Sequence, residues 1–223
     1  MIVDAVIVAA GSSTRFGGED KLFADLAGRP LLAWSLDAYA CTADVGRIVI
    51  VAAPEMVERA SALAADAAPR HQRDVVPGGA RRRDSVEAGL RACKTRYVAI
   101  HDGARPLITP QLIECCIAAA EGKPGAIAAL PVTDTIKHVR GHTIHGHPER
   151  ATLWAAQTPQ VVLRDAWLRA AASSDNDETD DAAMLSRLGL ECDVVESSAD
   201  NLKITRPMDL ELARQILVAR AAT

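Results

Sequence analysis

Aromatic residues are scarce, with three Trp, two Tyr and two Phe making up 3% of 223 residues. The core must therefore be built from Ala, Val, Ile and Leu, and such cores suit helices packed on a parallel sheet. An excess of basic charge is also missing. Twenty-five Lys and Arg stand against 29 Asp and Glu, a net charge of −4. A general nucleic-acid binder needs a basic face, so any basic site here must be local. The five cysteines (Cys41, Cys93, Cys115, Cys116 and Cys192) are odd in number and lack C-x-x-C spacing. Neither a disulfide framework nor a zinc site is indicated, and a reducing cytoplasm is expected. No stretch approaches the ~18 uncharged apolar residues of a membrane span. Asp4 interrupts the first apolar run and no basic segment precedes it, which argues for a first strand and against a signal peptide. Repeats and low-complexity linkers are absent, and the length suits a single domain over residues 1–223.

What is present is an alternation. Ile2 to Ala9, Arg47 to Ala52, Asp74 to Val76, Tyr97 to His101, Ala126 to Val132 and Glu191 to Glu196 read as strands. Helical patterns fall at Pro30 to Ala40, Glu55 to Ala67, Asp84 to Cys93, Pro110 to Ala120, Arg164 to Ala172, Asp180 to Leu188 and Pro207 to Ala219. This predicts an α/β fold with a parallel sheet flanked by helices. Thr109 before Pro110, and Thr205 before Pro207, place a capping hydroxyl and an early proline at helix starts. Gln157 to Gln160 is polar in an apolar neighbourhood and reads as a loop, as does the acidic stretch Ser173 to Asp181. Thr133 to Arg150 breaks the alternation with short β-capable pieces around Ile136 and Ile144, in a connection too long for an ordinary loop. It reads as a protruding β-hairpin arm, at about residues 132–153, of the kind that clasps a second subunit.

The chemistry concentrates after the strands. Beyond the first lies Ala9-Ala10-Gly11-Ser12-Ser13-Thr14-Arg15-Phe16-Gly17-Gly18-Glu19-Asp20-Lys21. Backbone amides of such a loop can orient anionic oxygens, and Arg15 and Lys21 can neutralise them. It is neither a G-x-G-x-x-G dinucleotide fingerprint nor a G-x-x-x-x-G-K-[ST] P-loop. His101-Asp102-Gly103-Ala104-Arg105-Pro106 puts an acid and a guanidinium just past a strand's carboxyl end, where ligands bind in open α/β sheets. Asp102 there can hold Mg²⁺ for a polyphosphate, or pair with Arg105 in a structural turn. Gly78-Gly79 before Arg81-Arg82-Arg83-Asp84-Ser85 permits close backbone approach to a flat base or sugar. The arginine run is read mainly as solvated charge, and Ser85 as either a ligand or a cap. Lys203, near a helix start, is either an anion ligand or a surface lysine. Three arm histidines, His142, His145 and His147, lack the partners of a metal site. No G-x-S-x-G elbow occurs, so covalent catalysis has little support.

Taken in order, these segments resemble the 2-C-methyl-D-erythritol 4-phosphate cytidylyltransferase family. The resemblance rests on the Ala9-Ala10-Gly11 loop with Arg15 and Lys21, Gly78-Gly79 through Asp84-Ser85-Val86, and His101 to Pro106. It continues through Pro131-Val132-Thr133-Asp134-Thr135-Ile136-Lys137, Thr158-Pro159-Gln160, Thr179-Asp180-Asp181 and Asn201-Leu202-Lys203-Ile204-Thr205-Arg206-Pro207, so it spans nearly the whole chain. It implies a Rossmann-like, mostly parallel sheet and a homodimer joined through the arms. It also implies Mg²⁺-dependent transfer of CMP from CTP to a sugar-alcohol phosphate. By the same resemblance Ala9, Ala10 and Gly11 line the nucleotide, and Gly79 and Ser85 recognise the cytosine end. Arg15 and Lys21 stabilise charge at the α-phosphate, Asp102 holds Mg²⁺, Arg105 and Thr158 face the sugar phosphate, and Lys203 contacts both reacting phosphates. Thr135 and Arg150 reach the partner's site.

The chain departs from the family where Asp20 precedes Lys21 and Leu22 follows it, positions commonly Pro and Gln, and at Gly103, often Ala. Three other readings are weighed. A ribitol 5-phosphate cytidylyltransferase shares many motifs, a molybdopterin nucleotidyltransferase leaves the later motifs unexplained, and a catalytically silent nucleotide-binding module has no need of Arg15, Lys21, Asp102 and Lys203 together.

Overall fold

A computed structural model describes residues 1–11, 21–173 and 177–222. The strands are β1 (Val3–Ala9), β2 (Asp25–Leu26), β3 (Arg29–Pro30), β4 (Val45–Ala52), β5 (Gln72–Pro77), β6 (Tyr97–Asp102), β7 (Gly125–Pro131), β8 (His138–Arg140), β9 (Thr143–Gly146), β10 (Trp154–Leu163) and β11 (Asp193–Glu196). The helices are α1 (Leu31–Ala40), α2 (Val57–Ala67), α3 (Arg82–Ala92), α4 (Pro110–Ala120), α5 (Arg164–Ser173), α6 (Asp181–Ser186) and α7 (Pro207–Ala221).

Seven strands form one sheet in the order β11-β7-β10-β6-β1-β4-β5. All neighbours pair in parallel except β10, which is antiparallel to both β6 and β7. The sheet is thus mostly parallel, as expected, with β10 as its one antiparallel strand. The five-residue run Val3 to Ile7 is buried throughout because helices cover both faces. Ala5 and Ile7 join the cluster under α1, α2, α4 and α7, whereas Val6 joins Val49, Val86 and Trp167 under α3, α5 and α6. The period-two alternation of the strand decides which layer each side chain enters. Asp4, only 4% exposed, accepts from the amides of Lys94 and Thr95 at 2.6 and 3.2 Å, which satisfies the turn before β6.

Strand β10 falls on the segment read as a loop. Its pairing with β7 runs Trp154 to Ala156 and resumes at Gln160, with a register shift between. Gln157, Thr158 and Pro159 occupy this bulge, so the proline need not donate to the ladder. Polar composition at the bulge hid a strand that is otherwise apolar.

Helix starts show one agreement and one correction. Thr109 Oγ1 accepts from Leu112 N at 3.3 Å with Pro110 following, as its sequence predicts. At α7 the cap is Arg206, and Thr205 donates its hydroxyl to Asp209 instead of capping. The Asp209 carboxylate reaches back to the amides of Thr205 and Arg206 at 2.7 and 2.8 Å. A carboxylate outcompetes a neutral hydroxyl for these amides and complements the helix dipole.

Helix α3 lies very close to the sheet at Gly89, where a Cβ would sit 2.5 Å from Val6 Cγ1 and 2.9 Å from Val51 Cγ2. Gly89→Ala is expected to cost about 1–3 kcal/mol through overpacking. Urea unfolding should show a lower midpoint at unchanged slope, and an unchanged midpoint would show that the helix can lift freely.

Between β7 and β10 the chain forms the expected hairpin, β8 paired antiparallel with β9. Its histidines His142, His145 and His147 are exposed.

Candidate active site

The sheet order creates a switch point. From β1 the chain moves outward through β4 to β5, then returns to β6 on the other flank of β1. Loops leaving β1 and β6 diverge there and leave a crevice at the carboxyl ends of the strands. Val8 is opposite Asp102 in the parallel register, and Gly103 N donates to Val8 O at 2.9 Å. Successive β6 side chains point to opposite faces. His101 turns inward against Tyr39, with ring centroids 5.2 Å apart, while Asp102 turns toward the start of α3.

Asp102 sits between two cations. Lys203 Nζ donates to its Oδ2 at 2.6 Å, and Arg82 Nε lies 3.5 Å from Oδ1. Burial alone raises the carboxyl pKa, but Lys203, Arg82 and Arg105 together outweigh it and bring it down to about 2. Arg82 is held from behind by Asp181, Nη2 to Oδ2 at 2.7 Å, and Asp181 also accepts from Trp167 Nε1 at 3.1 Å. Burial works against the guanidinium charge; Asp181 and Asp102 more than offset this, so its pKa lies above the ordinary value. Gln160 Oε1 accepts from the amides of Asp181 and Ala182, fixing the start of α6. Lys21 Nζ donates to Ile204 O at 3.0 Å, which brings the end of the glycine-rich loop beside Lys203.

Two clefts meet at this cluster. The first, about 390 Å³, is lined by Ala10, Gly11, Lys21, Gly79 and Ser85. The second, about 290 Å³, is lined by Arg105, Gln157, Thr158, Gln160, Thr179 and Asp180. Arg82, Asp102 and Lys203 line both. The walls of the first are drawn together at Gly78, where a Cβ would lie 2.3 Å from that of Ala10. Here glycine is required for packing of one loop on another before any ligand enters. Ser85 is buried inside α3, accepting from Gly79 N and donating to Arg81 O, both at 3.2 Å, so it ties the glycine loop to the helix.

Ala10, Gly11, Lys21, Gly79, Ser85, Asp102, Arg105, Thr158 and Lys203 are therefore brought together at the two clefts. Arg15 lies outside the described residues. Ala9 buries its side chain in the core, while its neighbours Val8 and Ala10 line the first cleft. Thr135 and Arg150 are exposed in the arm segment and line neither cleft; Arg150 Nη1 donates to Thr133 O at 2.8 Å. Sequence reasoning missed Arg82, Asp181, Gln157, Gln160 and Asn201. For Arg82 a signal existed, since it is the first residue of a helix directly after a strand and a glycine turn. The arginine run read as solvated contains this site residue and also Arg83, only 6% exposed.

Among the described residues no group of three His, Cys, Asp or Glu side chains is arranged to hold a metal. A single ionised carboxylate, Asp102, in a cleft that it shares with Arg82 and Lys203 fits magnesium, which takes one or two carboxylates and completes its shell from substrate phosphates and water. No helix of the described residues is long and apolar enough to cross a membrane.

The family model of 2-C-methyl-D-erythritol 4-phosphate cytidylyltransferase matches residues 3–219. A protein of that name from Synechococcus sp. (strain CC9902) is 42% identical over 223 residues, covering 96% of this chain and 97% of its own. Another from Cereibacter sphaeroides (strain ATCC 17023) is 40% identical over 225 residues, covering 99% of each. Among solved structures, the 2-C-methyl-D-erythritol 4-phosphate cytidylyltransferase of Thermus thermophilus aligns with a TM-score of 0.79 at 30% identity, over 97% of this chain and 98% of that one. The 4-diphosphocytidyl-2C-methyl-D-erythritol synthase of Anaerococcus prevotii has the same fold, with a TM-score of 0.86 at 24% identity over 97% and 96%.

Proposed function

The chain belongs to the 2-C-methyl-D-erythritol 4-phosphate cytidylyltransferase family, and from that premise we propose how its two clefts transfer CMP from CTP to 2-C-methyl-D-erythritol 4-phosphate. The products are 4-diphosphocytidyl-2-C-methyl-D-erythritol and pyrophosphate, an early step toward isoprenoid precursors. The observation that carries this reading is the meeting of two polar clefts at one cluster of cations around Asp102.

The first cleft takes CTP, with the cytosine end at Gly79 and Ser85, and the triphosphate running past Ala10 and Gly11 to Lys21 and Lys203. The second takes the sugar-alcohol phosphate, its phosphate facing Arg105 and Thr158. A phosphate oxygen of the acceptor attacks the α-phosphorus; that bond forms as the bond to the β-phosphate oxygen breaks, and pyrophosphate leaves with the electron pair. No protein nucleophile is involved, and the protein's contribution is positioning and charge. A terminal phosphate carries about −1.5 to −2 at neutral pH, so two anions must be brought together against repulsion. Lys21, Arg105 and Lys203 answer it, joined by Arg15. Asp102 would hold Mg²⁺, which would supply further neutralisation of the triphosphate.

The decisive assay offers CTP and Mg²⁺ with methylerythritol 4-phosphate and, in parallel, ribitol 5-phosphate, and follows pyrophosphate release. Release with the first acceptor alone is expected. The named relatives do not favour the ribitol alternative, and release with ribitol 5-phosphate alone would overturn the reading.

The arm supports a homodimer. Ile136, Val139, Ile144 and Trp154 are large apolar side chains left exposed on or next to it, with Val139 and Ile144 each 54% exposed. In the dimer Thr135 and Arg150 reach the partner's second cleft. Sedimentation should give a dimer, and Val139→Asp with Ile144→Asp a monomer with little turnover. Mixing Arg150→Ala with Lys21→Ala subunits should restore part of the activity, and no restoration would count against a shared site. The five cysteines are free, in keeping with a cytoplasmic setting.

A further inference from the structure

Behind the second cleft four residues from three separate segments close a ring of hydrogen bonds. Thr158 Oγ1 lies 2.9 Å from His101 Nδ1, and His101 Nε2 lies 3.2 Å from Arg105 O. The Arg105 guanidinium donates through Nη1 to Asn201 O at 2.6 Å. Asn201 Nδ2 donates to Thr158 O at 2.9 Å, which completes the circuit. His101, Thr158 and Asn201 are 0%, 3% and 2% exposed.

The directions of these bonds follow from chemistry. A carbonyl oxygen only accepts, so His101 Nε2 carries the proton and Nδ1 is the acceptor for the Thr158 hydroxyl. The Thr158 oxygen in turn accepts from Asp102 N at 3.1 Å. Arg105 O also accepts from Ser35 Oγ at 3.2 Å, and Asn201 Nδ2 also donates to Gln157 Oε1 at 2.9 Å. His101 is fully buried and its two ring nitrogens face a carbonyl oxygen and a hydroxyl, an environment that favours the neutral imidazole this pattern requires.

We propose that His101 and Asn201 are positioning residues for the acceptor half of the site. Neither lines a cleft. Each instead sets the pose of residues that do: His101 fixes the Thr158 hydroxyl and the turn carrying Arg105, and Asn201 fixes the Arg105 guanidinium and the β10 bulge. The ring touches the wall shared by the two clefts only through the Asp102 amide, and none of its bonds reaches Gly79, Ser85 or Lys21, so its hold falls mainly on the acceptor half. The inference rests on the reading of the second cleft as the acceptor's, and it predicts an effect confined to that substrate.

The test uses the purified full chain and measures KM for each substrate with the other saturating. His101→Leu removes both ring nitrogens. It should raise KM for the sugar-alcohol phosphate roughly 10- to 100-fold and leave KM for CTP within about twofold, because a small misplacement of orienting groups is costly. Asn201→Ala keeps the backbone carbonyl that holds Arg105 and removes the amide that holds Gln157 and the Thr158 carbonyl, so it should shift the same KM in the same direction through the β10 bulge alone. His101→Asn can still accept from Thr158, and His101→Gln can still donate to Arg105, so each should recover part of the loss. A merely structural role would lower the melting temperature and the active fraction while moving neither KM, or would move both together; either pattern overturns the proposal. It is equally overturned if none of these variants folds. Arg105→Ala separates the two levels of inference. If it leaves the acceptor KM unmoved, the assignment of the cleft fails; if it raises that KM and the His101 and Asn201 variants do not, the positioning role alone fails.

Discussion

Lys203→Ala is expected to lower kcat/KM for CMP transfer by about 10²–10³-fold, the usual consequence of removing one charged donor aimed at developing charge. Its side chain is 41% exposed and its ammonium meets the Asp102 carboxylate at 2.6 Å, so folding should survive. The same variant changes a titration. Burial pushes the Asp102 carboxyl upward, yet it is held near pKa 2 because Lys203, Arg82 and Arg105 outweigh that push, and Lys203 is the largest of those three. Without it the carboxyl must titrate at higher pH, and the acid limb of the pH–rate profile should move upward. Near-normal turnover with an unmoved acid limb would remove Lys203 from the mechanism.

Arg82→Ala should produce the largest loss of stability among site substitutions. It leaves Asp181, with a side chain 2% exposed, with the Trp167 indole as the remaining partner of its carboxylate among the described residues. Breaking one partner of a buried ion pair costs about 3–5 kcal/mol, because the remaining charge is uncompensated. Urea unfolding reads this as a lower midpoint. The double variant Arg82→Met with Asp181→Asn should recover much of the stability and none of the activity, since Arg82 also borders both clefts and faces Asp102. If Arg82→Ala alone were as stable as the parent, the Arg82–Asp181 pair would carry no part of the fold's stability.

The central sheet and the helices were legible in the sequence because each depends on a local pattern. Apolar runs such as Val6 to Ala9 and helix starts such as Thr109-Pro110 carry their structure within a few residues. Strand β10 was not legible, because its polar centre Gln157-Thr158-Pro159-Gln160 has the composition of a loop and becomes a bulge only when β6 and β7 flank it. The order of motifs was likewise enough to mark Lys21, Asp102, Arg105 and Lys203 as a set. Their partners were not, and the roles of Arg82 and Asp181 in particular were hidden in a basic run and an acidic loop.

The sequence by itself determined an aliphatic core, an alternating α/β chain with a hairpin insertion, and the cations available for phosphate chemistry. These follow from composition and short-range periodicity, which need no knowledge of what lies across the sheet. Only the tertiary structure decided which of those groups face one another. Lys203 meets Asp102 across 101 residues of chain and Arg82 meets Asp181 across 99, each brought together by the strand order around the β1–β6 switch point. The ring behind the second cleft was decided in the same way, because a hydrogen bond depends on where its acceptor has been carried, and no local pattern records that.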